Sequence, residues 1–474
     1  MSIIDEIVKT RRMKIKRKGY EMGVALPVKR TLPVTPFGRD PFIICEIKRS
    51  SPSRGLIARG VDAVLQAKKY VDRGISSLSV LTEEEYFSGS LGDLFTIKKT
   101  FPHLSLLRKD FILDEKDIEV SFRAGADAVL LIASMHDIKT LIKLYRRAKA
   151  YRLEVLFEVH DEDDLNKAKK VKPEITGFNS RDLATFRIDL TVPIKMSSFA
   201  DWKTRKVFES GISSIEDADL ALSSGFSGLL IGEAVMKDID LIDKLKKAFN
   251  HKPGNFWQKL FSVKKGEKPY IKICGITREE DAVFAAEMGA DILGFIFADS
   301  PRRASPELLK KIQDLEILKT GVVVLNKDRI SLNGKIKELL NDGLLNVIQF
   351  HGNERPWNCH KMAFPYFKAV RVKGRNDIER IGSYRCPRVL TDTYIRGISG
   401  GTGKRIPDDL ISRIKERYPL WLAGGIGPDN VREIIRRFRP ELIDVSSKLE
   451  SSHGTKDHTK IKKLFEEIEI AAAL

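Results

Sequence analysis

The stretch ADAVLLIASMHDIKTLIKLYRRAKAYRLEVLFEVH, residues 126–160, shows the pattern from which the fold is predicted. Two short apolar runs, at 126–134 and 154–160, flank a segment with helical periodicity. Nearly continuous apolar strands are typical of parallel sheets, because helices cover both faces of such a sheet. The stretch therefore predicts a β-α-β unit.

The same alternation of apolar runs and helical segments extends along the whole chain. Eight runs lie in the first half: FIICEIKRS (42–50), SLSVLTE (77–83), LSLLRKDF (104–111), ADAVLLIAS (126–134), EVLFEVH (154–160), EITGFNSRD (174–182), RKVFESGI (205–212) and GLLIGEA (228–234). Eight more lie in the second half: YIKICGIT (270–277), ADILGFIF (290–297), KTGVVVLN (319–326), NVIQFHG (346–352), YFKAVRVK (366–373), RVLTDTYI (388–395), LWLAGGI (420–426) and LIDVSS (442–447). Eight strands that alternate with helices are the pattern of a (β/α)8 barrel. We therefore predict an α/β fold of two tandem (β/α)8 TIM barrels.

The length of the chain agrees with two barrels. It has 474 residues, and one barrel of this kind uses about 250. We expect the first barrel over residues 1–254 and the second over 255–474. The Lys-rich segment 246–269 contains two prolines and two glycines, so we interpret it as the end of a helix followed by a linker.

Composition excludes several classes of protein. Hydrophobic residues make up 42% and charged residues 31% of the chain, as in a folded globular protein rather than a disordered one. The longest apolar stretch, residues 126–135, contains Asp127 and is much shorter than the ~20 residues that span a bilayer. The basic N-terminal segment lacks the apolar core of a secretory signal. We expect a cytoplasmic protein that does not contact membranes.

The cysteine content and the net charge bear on cofactors and partners. Four cysteines are too few and too scattered for a disulfide framework, and no C-x-x-C pair suggests zinc, so we expect reduced thiols and neither a metal nor another cofactor. The net charge of +18 and the run RRMKIKRKG (11–19) make a nucleic-acid-binding protein an alternative. The sequence has no helix-turn-helix, zinc-finger or RNP pattern, and anionic small molecules explain the charge as well.

Six polar residues fall at the carboxyl ends of strands predicted for the first barrel. Glu46 and Lys48 stand two apart on one strand, so their side chains point to the same side. Catalytic groups in this fold come from the ends of several strands, which favours a functional cluster over an ion-pair network that merely closes the barrel. The six residues are Glu46, Lys48, Lys109, Glu158, Asn179 and Glu209.

The second barrel has fewer polar residues at the predicted strand ends. Cys274, His351 and Asp392 end strands one, four and six, and Arg302 lies in the loop after strand two. Taken singly, Cys274 could be a small buried hydrophobe and His351 a hydrogen-bonded histidine at the barrel mouth. Together, a thiol and a carboxylate across one mouth suggest the base and acid of a proton-shuttling isomerisation.

Each half also carries a glycine pattern near its last two strands. Gly211 is followed 21 residues later by Gly232, and Gly425 is followed 21 residues later by Ser446. The loops after strands seven and eight form the usual phosphate site of this fold, because glycine lets the backbone approach a ligand closely. We expect a phosphate site in each barrel, although these glycines could instead be helix caps.

Several motifs resemble two enzyme families of tryptophan biosynthesis. The first half resembles the indole-3-glycerol-phosphate synthase family in CEIKRSSPSRG (45–55), LLRKDFILD (106–114), FNSRDL (178–183), FESGI (208–212) and LLIGEAVM (229–236). The second half resembles phosphoribosylanthranilate isomerase in IKICGIT (271–277), FADSPRR (297–303), IQFHGNE (348–354), LTDT (390–393), GGTGKR (400–405), LAGGIGPDNV (422–431) and DVSS (444–447). The resemblance covers nearly the whole chain and implies a bifunctional enzyme. Its isomerase barrel would make carboxyphenylamino-deoxyribulose phosphate, and its synthase barrel would convert this compound to indole-3-glycerol phosphate.

The resemblance to the synthase family implies roles for the first cluster. Lys109 would be the general acid of ring closure and Glu158 the general base of the later dehydration. Glu46, Lys48, Asn179 and Glu209 would surround the reacting centre. Arg181 would bind the anthranilate carboxylate, and the phosphate would contact Ser51, Ser210, Gly211 and Gly232.

The resemblance to the isomerase family implies that Cys274 is the general base and Asp392 the general acid of an Amadori rearrangement. A cysteine base requires a pKa below the usual ~8.5, and we expect Lys272 on the same strand face to lower it. Arg302 and His351 match substrate-contact positions. The phosphate loops would be formed by Gly401, Thr402, Gly403, Gly424, Gly425, Ser446 and Ser447.

Two departures from the family patterns stand out. Lys448 follows DVSS where the isomerase family usually has glycine, and Phe208 replaces a small residue before ESG. The first makes an inactive isomerase barrel an alternative, and we expect Phe208 to pack away from the barrel interior. We expect the protein to be a monomer that binds small phosphorylated anthranilate–sugar substrates and no nucleic acid.

Overall fold

The computed structural model describes residues 3–51, 55–56, 60–182, 185–249, 254–263, 265–325, 332–360, 364–384, 386–393 and 405–472. The chain divides into two compact units, Met1–Lys252 and Pro253–Leu474. Each unit contains a closed barrel of eight parallel strands. The prediction of two tandem (β/α)8 barrels is therefore confirmed.

Ten strands are described in the first unit. They are β1 Phe42–Ile47, β2 Ser50–Ser51, β3 Gly55–Leu56, β4 Ser77–Leu81, β5 Ser105–Lys109, β6 Ala128–Ile132, β7 Glu154–Val159, β8 Ile175–Asn179, β9 Arg205–Glu209 and β10 Gly228–Ile231. Strands β2 and β3 pair as an antiparallel hairpin, and the other eight close the barrel in chain order. The register pairs Leu81 with Lys109 at the ends of β4 and β5, and Asn179 with Glu209 at the ends of β8 and β9. The polar residues Lys109, Asn179 and Glu209 therefore lie at one end of the barrel.

Helices alternate with the barrel strands of the first unit. They are α1 Ile3–Lys18, α2 Ala63–Asp72, α3 Leu91–Thr100, α4 Glu115–Arg123, α5 Ile138–Ala150, α6 Glu162–Val171, α7 Thr191–Ser198, α8 Ile215–Ser223, α9 Glu233–Lys237 and α10 Leu241–Ala248, with a 3₁₀ turn at Ala133–Met135. Several helices begin at an aspartate whose side chain accepts backbone N–H bonds; examples are Asp114 before α4 and Asp161 before α6. Such caps stabilise a helix start by about 1 kcal/mol, so they fix where the helix begins after the preceding strand.

Apolar side chains fill the interior of the first barrel below the polar strand ends. Phe42 and Ile44 of β1 and Leu107 of β5 belong to one buried cluster. Because side chains alternate along a strand, the next residues on the same face are Glu46 and Lys109. The alternation of side chains along β1 and along β5 thus places both charged groups next to the apolar core.

The basic helix α1 is held to the first barrel by ion pairs. Arg11 is buried and lies 3.0 Å from Asp110 and 2.6 Å from Asp117. Lys14 and Lys18 pair with Glu84 at 3.4 and 3.1 Å. The basic run at the start of the chain therefore neutralises acidic groups of its own barrel.

Ten strands are also described in the second unit. They are β11 Tyr270–Cys274, β12 Ile292–Ile296, β13 Leu318–Val323, β14 Val347–Phe350, β15 Tyr366–Val372, β16 Val389–Thr393, β17 Trp421–Ala423, β18 Leu442–Val445, β19 Glu450–Ser452 and β20 Thr455–Lys456. Strands β11 to β18 close the barrel in chain order, and β19 pairs with β20 in an antiparallel hairpin.

Nine helices are described in the second unit. They are α11 Phe256–Ser262, α12 Glu279–Glu287, α13 Pro306–Lys311, α14 Gly334–Asn341, α15 Pro356–His360, α16 Arg375–Ile381, α17 Asp408–Lys415, α18 Val431–Phe438 and α19 His458–Ala472, with a 3₁₀ turn at Ser447–Leu449. Among the helices described in either unit, none has both the length and the apolar character needed to cross a membrane.

The segment 246–269 was interpreted as the end of a helix followed by a linker. The helix end is confirmed, because α10 ends at Ala248, but the linker is wrong, because helix α11 lies within it. Its residues Phe256 and Trp257 are buried. The Trp257 ring lies 5.8 Å from that of Trp421, and the Phe256 ring stacks on Phe367 at 6.4 Å. Since these partners lie near the N-terminal ends of β15 and β17, α11 is part of the second barrel's core.

Candidate active sites

A cavity of about 450 Å³ opens at the carboxyl ends of the strands of the first barrel. Glu209 lies below it with its side chain 1% exposed. Apolar side chains of α1, including Ile3 and Ile7, complete part of the cavity wall. The residues predicted from the sequence that line the cavity are Glu46, Lys48, Lys109, Glu158, Asn179, Arg181, Ser210, Gly211 and Gly232.

Lys109 lies at the centre of the charged groups in this cavity. Its Nζ atom is 2.7 Å from Glu209 Oε2, 3.5 Å from Glu158 Oε2 and 3.9 Å from Glu46 Oε2. Burial lowers the pKa of Lys109, but the three carboxylates outweigh burial and hold this pKa above its usual range. Lys109 therefore carries its proton throughout the neutral pH range.

Glu158 and Glu209 differ in proton affinity although both face Lys109. Burial opposes ionisation of Glu158, yet Lys109 and His160 hold its pKa well below the usual range. For Glu209, burial and the negative charge of Glu158 raise the pKa, while Lys109 lowers it, and the result is a pKa of about 8. Two carboxyl groups whose environments separate their pKa values can serve as an ionised base and a protonated neighbour.

Lys48 and Glu46 lie beside this group. Lys48 Nζ is 3.7 Å from Glu46 Oε1, and Ser79 Oγ donates to Glu46 Oε2 at 3.2 Å. Burial lowers the pKa of Lys48, and the nearby cations Lys109 and Arg181 add to this effect. The cavity thus holds two lysines with opposite pKa shifts.

The loops around the cavity have backbone conformations suited to a close ligand. Ser210 and Gly211 have φ values of 67° and 83° in succession, and two such residues turn the chain sharply. The Arg181 backbone N–H donates to Asn179 Oδ1 at 3.0 Å. Gly232 leaves room for Glu46, whose Oε1 lies 2.8 Å from where a Cβ atom would be. Ser51 lies in β2, and its side chain is outside the described residues.

In the second barrel, Cys274 ends β11 beside a buried ion pair. Lys272 Nζ lies 2.9 Å from Asp444 Oδ2. A Cβ atom on Gly294 would lie 2.7 Å from Cys274 Sγ and 2.9 Å from Lys272 Nζ. The Cys274 thiol and the Lys272 ammonium group therefore both lie in the space that a side chain at Gly294 would occupy.

The expected lowering of the Cys274 pKa is wrong. Burial raises the pKa of Cys274, and Lys272 offsets this only in part. Lys272 interacts more strongly with the Asp444 carboxylate than with the thiol, and the negative charge of Asp444 itself raises the pKa of the thiol. The surroundings of Cys274 thus favour the neutral thiol at neutral pH.

His351 and Asp392 are in contact at the mouth of the second barrel. His351 Nε2 lies 3.1 Å from Asp392 Oδ2, and Gln349 Nε2 lies 2.8 Å from His351 Nδ1. His351 therefore lies between the Gln349 amide and the Asp392 carboxyl group, and connects them. The Thr393 backbone N–H donates to the other oxygen of Asp392 at 2.7 Å.

Arg302 is held by a carboxylate near Cys274. Its Nε atom lies 2.8 Å from Glu450 Oε1. Lys456 is buried, donates to the Cys274 carbonyl at 2.7 Å and lies 3.2 Å from the same Glu450 oxygen. Ser446 Oγ donates to the Cys274 carbonyl at 3.0 Å, so these groups surround the end of β11.

The predicted phosphate loops of the second barrel are described in part. Gly424 and Gly425 have φ values of 89° and 64°, in the region that favours glycine. Ser446 and Ser447 lie at the start of the 3₁₀ turn after β18. Gly401, Thr402 and Gly403 lie outside the described residues.

The two departures from the family patterns fit locally. Lys448 has no positive φ and pairs with Asp429 at 2.7 Å, which joins the loop after β18 to that after β17. Phe208 is buried, and its ring lies 5.0 Å from that of Phe226. Within the described ranges, no group of three or more His, Cys, Asp or Glu side chains is arranged to hold a metal ion.

Comparison with known families now assigns the two barrels. The family model of indole-3-glycerol phosphate synthase matches residues 28–248. That of N-(5'-phosphoribosyl)anthranilate (PRA) isomerase matches residues 271–467. The chain belongs to these two families, one in each barrel.

Relatives of the whole chain and of each barrel are known. The multifunctional tryptophan biosynthesis protein of Schizosaccharomyces pombe is 31% identical over 460 residues, which are 89% of this chain and 58% of that protein. The indole-3-glycerol phosphate synthase of Exiguobacterium sibiricum is 37% identical over 50% of this chain and 93% of its own length. The crystal structure of phosphoribosyl anthranilate isomerase from Thermotoga maritima is 35% identical and covers 42% of this chain and 98% of its own, with a TM-score of 0.38. The chain spans about three fifths of the length of the multifunctional relatives, 58% and 62% in two cases.

Sequence patterns missed several groups that the structure places at the two sites. In the synthase barrel these are His160 and Asp164, which lie behind Glu158. In the isomerase barrel they are Lys456 and Glu450, which come from the hairpin after the last strand. The position of His160 at the end of a predicted strand was a usable signal, whereas nothing in the spacing of the hairpin residues pointed to the site.

Proposed function

We propose that the chain catalyses two successive steps of tryptophan biosynthesis, as an isomerase in residues 255–474 and a synthase in residues 1–254. The isomerase converts N-(5-phosphoribosyl)anthranilate to 1-(2-carboxyphenylamino)-1-deoxyribulose 5-phosphate. The synthase closes this compound to indole-3-glycerol phosphate with loss of CO₂ and water. The division of contacts after Lys252 supports this assignment of domains.

The observation that carries the proposal is the position of Lys109 among three carboxylates in the synthase cavity. Ring closure needs a proton donor at the substrate carbonyl, and Lys109 is protonated at neutral pH. The later dehydration needs a base, and Glu158 is ionised. Clustered lysine and glutamate side chains suffice for both steps, which require no redox chemistry.

In the isomerase barrel, Asp392 delivers a proton to the ribose ring oxygen, and the sugar opens to an imine. Cys274 then removes the proton from C2′ of this imine, which completes the rearrangement. The thiolate required for this step is stabilised by the ammonium groups of Lys272 and Lys456. Arg302 is placed to contact the substrate next to Cys274, because both lie beside Gly275.

Each site binds the phosphate of its substrate through loops after the last two strands. In the synthase barrel the groups are the backbone of Ser210, Gly211 and Gly232, with Arg181 left for the anthranilate carboxylate. In the isomerase barrel they are Gly424, Gly425, Ser446 and Ser447. Inorganic phosphate should therefore compete with the substrate at both sites.

We infer further that the chain is a cytoplasmic monomer that binds no nucleic acid. All four cysteines are unpaired, as in a reducing compartment. The ion pairs of Lys14 and Lys18 with acidic residues of the same barrel leave less positive charge for phosphate groups of a nucleic acid. Sedimentation of the purified chain, alone and with a DNA duplex at low salt, tests both statements.

The proposed function is tested by supplying each substrate to the purified chain. N-(5-phosphoribosyl)anthranilate should give indole-3-glycerol phosphate, and the deoxyribulose phosphate should give the same product without the first step. Turnover of the second compound but not of the first would leave only the synthase. Turnover of neither would refute the proposal.

A further inference from the structure

His160 faces the back of Glu158. The two oxygens of Glu158 point in different directions: Oε2 lies 3.5 Å from Lys109 Nζ, and Oε1 lies 3.1 Å from His160 Nε2. The His160 side chain is 7% exposed. It is absent from the described lining of the cavity, so it meets Glu158 from the side away from the substrate.

Asp164 holds His160 from its other side. Asp164 Oδ2 lies 3.3 Å from His160 Nδ1 and accepts the His160 backbone N–H at 3.1 Å. Asp164 is in the first turn of α6, where the Asp161 side chain caps the helix. Each ring nitrogen of His160 therefore lies within ion-pair distance of a carboxylate oxygen, an arrangement that favours the imidazolium. Only the Nδ1 contact with Asp164 has the geometry of a hydrogen bond.

The charged groups around this arrangement favour the imidazolium form. Burial lowers the pKa of His160, but Glu158 and Asp164 outweigh burial and raise it to about 10. On α6, Lys167 lies 4.0 Å from the remaining oxygen of Asp164. On the neighbouring strands, Lys109 and Glu209 face Glu158, and Glu46 faces Lys109.

We propose that His160 is a positioning residue that keeps Glu158 ionised and oriented toward the substrate, and so sets the lower pH limit of the synthase reaction. This inference rests on the proposed role of Glu158 as the base. Without the imidazolium, Glu158 would lie in a buried site with Glu209, and the two carboxyl groups would share the charge of Lys109. A proton would then remain on Glu158 at higher pH, and the base would be lost.

The test is the pH dependence of ring closure in His160→Gln. A glutamine side chain stays polar but carries no charge, so the substitution removes the imidazolium beside Glu158. We expect the acidic limb of the kcat profile to move up by about one pH unit, which is a tenfold change in proton affinity. We expect KM at high pH to stay near that of the wild type, because His160 does not line the cavity.

A matched control is available in the same barrel. His136 is half-buried, and its Nε2 atom contacts the Ile112 carbonyl at 2.8 Å rather than a carboxylate. His136→Gln should therefore keep the wild-type pH profile. An unchanged acidic limb in His160→Gln, or an equal shift in both variants, would overturn the inference.

A second variant decides the matter if His160→Gln does not fold. Asp164→Asn keeps the size of the side chain but removes the charge that supports the imidazolium, so the acidic limb should move in the same direction by a smaller amount. An unshifted limb in a folded Asp164→Asn variant would count against the role of His160. A wild-type chain that cannot close the ring would instead refute the proposed function.

Discussion

Glu209 occupies space that a side chain on Gly177 would fill. The two residues lie on the neighbouring strands β9 and β8, and Glu209 Oε1 contacts the position of a Cβ atom on Gly177. The carboxylate can reach Lys109 at 2.7 Å because this position is empty. Gly177 is therefore a structural requirement for the charge cluster of the synthase cavity.

Gly177→Ala should impair ring closure. The added methyl group would displace the Glu209 carboxylate and disturb its contact with Lys109, and a displacement of about 1 Å at an active site can cost about 10²-fold in rate. Isomerase activity of the same chain should not change. Gly334→Ala is a suitable control, since a Cβ atom there meets nothing within 4 Å. Full synthase activity in Gly177→Ala would show that the position of Glu209 is unimportant.

Lys109→Ala should abolish ring closure and leave isomerisation near the wild-type rate. Loss of a positioned proton donor costs about 10²–10⁴-fold. Steady-state assays of the two reactions on one preparation measure both effects. Lys116→Ala removes a half-exposed lysine that pairs with Glu119 at 3.0 Å and should alter neither reaction. Equal loss of both activities in Lys109→Ala would contradict two independent sites.

Cys274→Ser and Asp392→Asn should each reduce isomerisation by about 10²–10⁴-fold, because each removes one proton-transfer group. A serine hydroxyl is too weak an acid to provide its conjugate base near pH 7. Cys386→Ser provides the control, since the Cys386 thiol donates to the Arg388 carbonyl and a hydroxyl can do the same. Losses below tenfold in the first two variants would mean that these residues merely line the pocket.

Alkylation of Cys274 should be slow at neutral pH in the unliganded protein. Only the thiolate reacts, and burial raises the pKa of Cys274. The rate with iodoacetamide should rise about tenfold for each pH unit until the thiol ionises. Peptide mapping by mass spectrometry identifies the modified cysteine. Rapid stoichiometric modification of Cys274 at pH 7 would show that the thiolate is already present without substrate.

The two activities should separate when the chain is divided after Lys252. Each unit has its own closed barrel, and the proposed acid and base of each reaction lie within one unit. Residues 1–252 should catalyse only ring closure, and residues 253–474 only isomerisation. Each fragment is compared with the full chain by its kcat and by its thermal unfolding. Folded fragments that recover activity only when mixed would contradict this separation.

The sequence predicted the strand ends well because the physical rule behind them is local. Side chains alternate along a strand, so Phe42 and Ile44 in the core imply that Glu46 shares their face. Parallel strands end at one edge, and this brought Lys109, Glu158 and Asn179 to the cavity without any tertiary information. The fold class followed from the same alternation of strands and helices.

Contacts that depend on the shape of the folded chain could not be predicted in this way. Lys272 was expected to lower the pKa of Cys274 because both lie on one strand face. Its pairing with Asp444 depends on the closure of β11 against β18, and burial of the thiol depends on the loops above it. Likewise, the contact between His160 and Asp164 depends on how α6 packs after β7.

Helix α11 has a practical consequence for excising the second barrel. The match to the isomerase family begins at residue 271, beyond α11. A gene trimmed to that match would encode a barrel in which the rings of Trp421 and Phe367 lose their cover. Exposed aromatic patches of this kind promote aggregation. An insoluble fragment that starts at residue 271 would therefore reflect the missing helix rather than a barrel unable to fold alone.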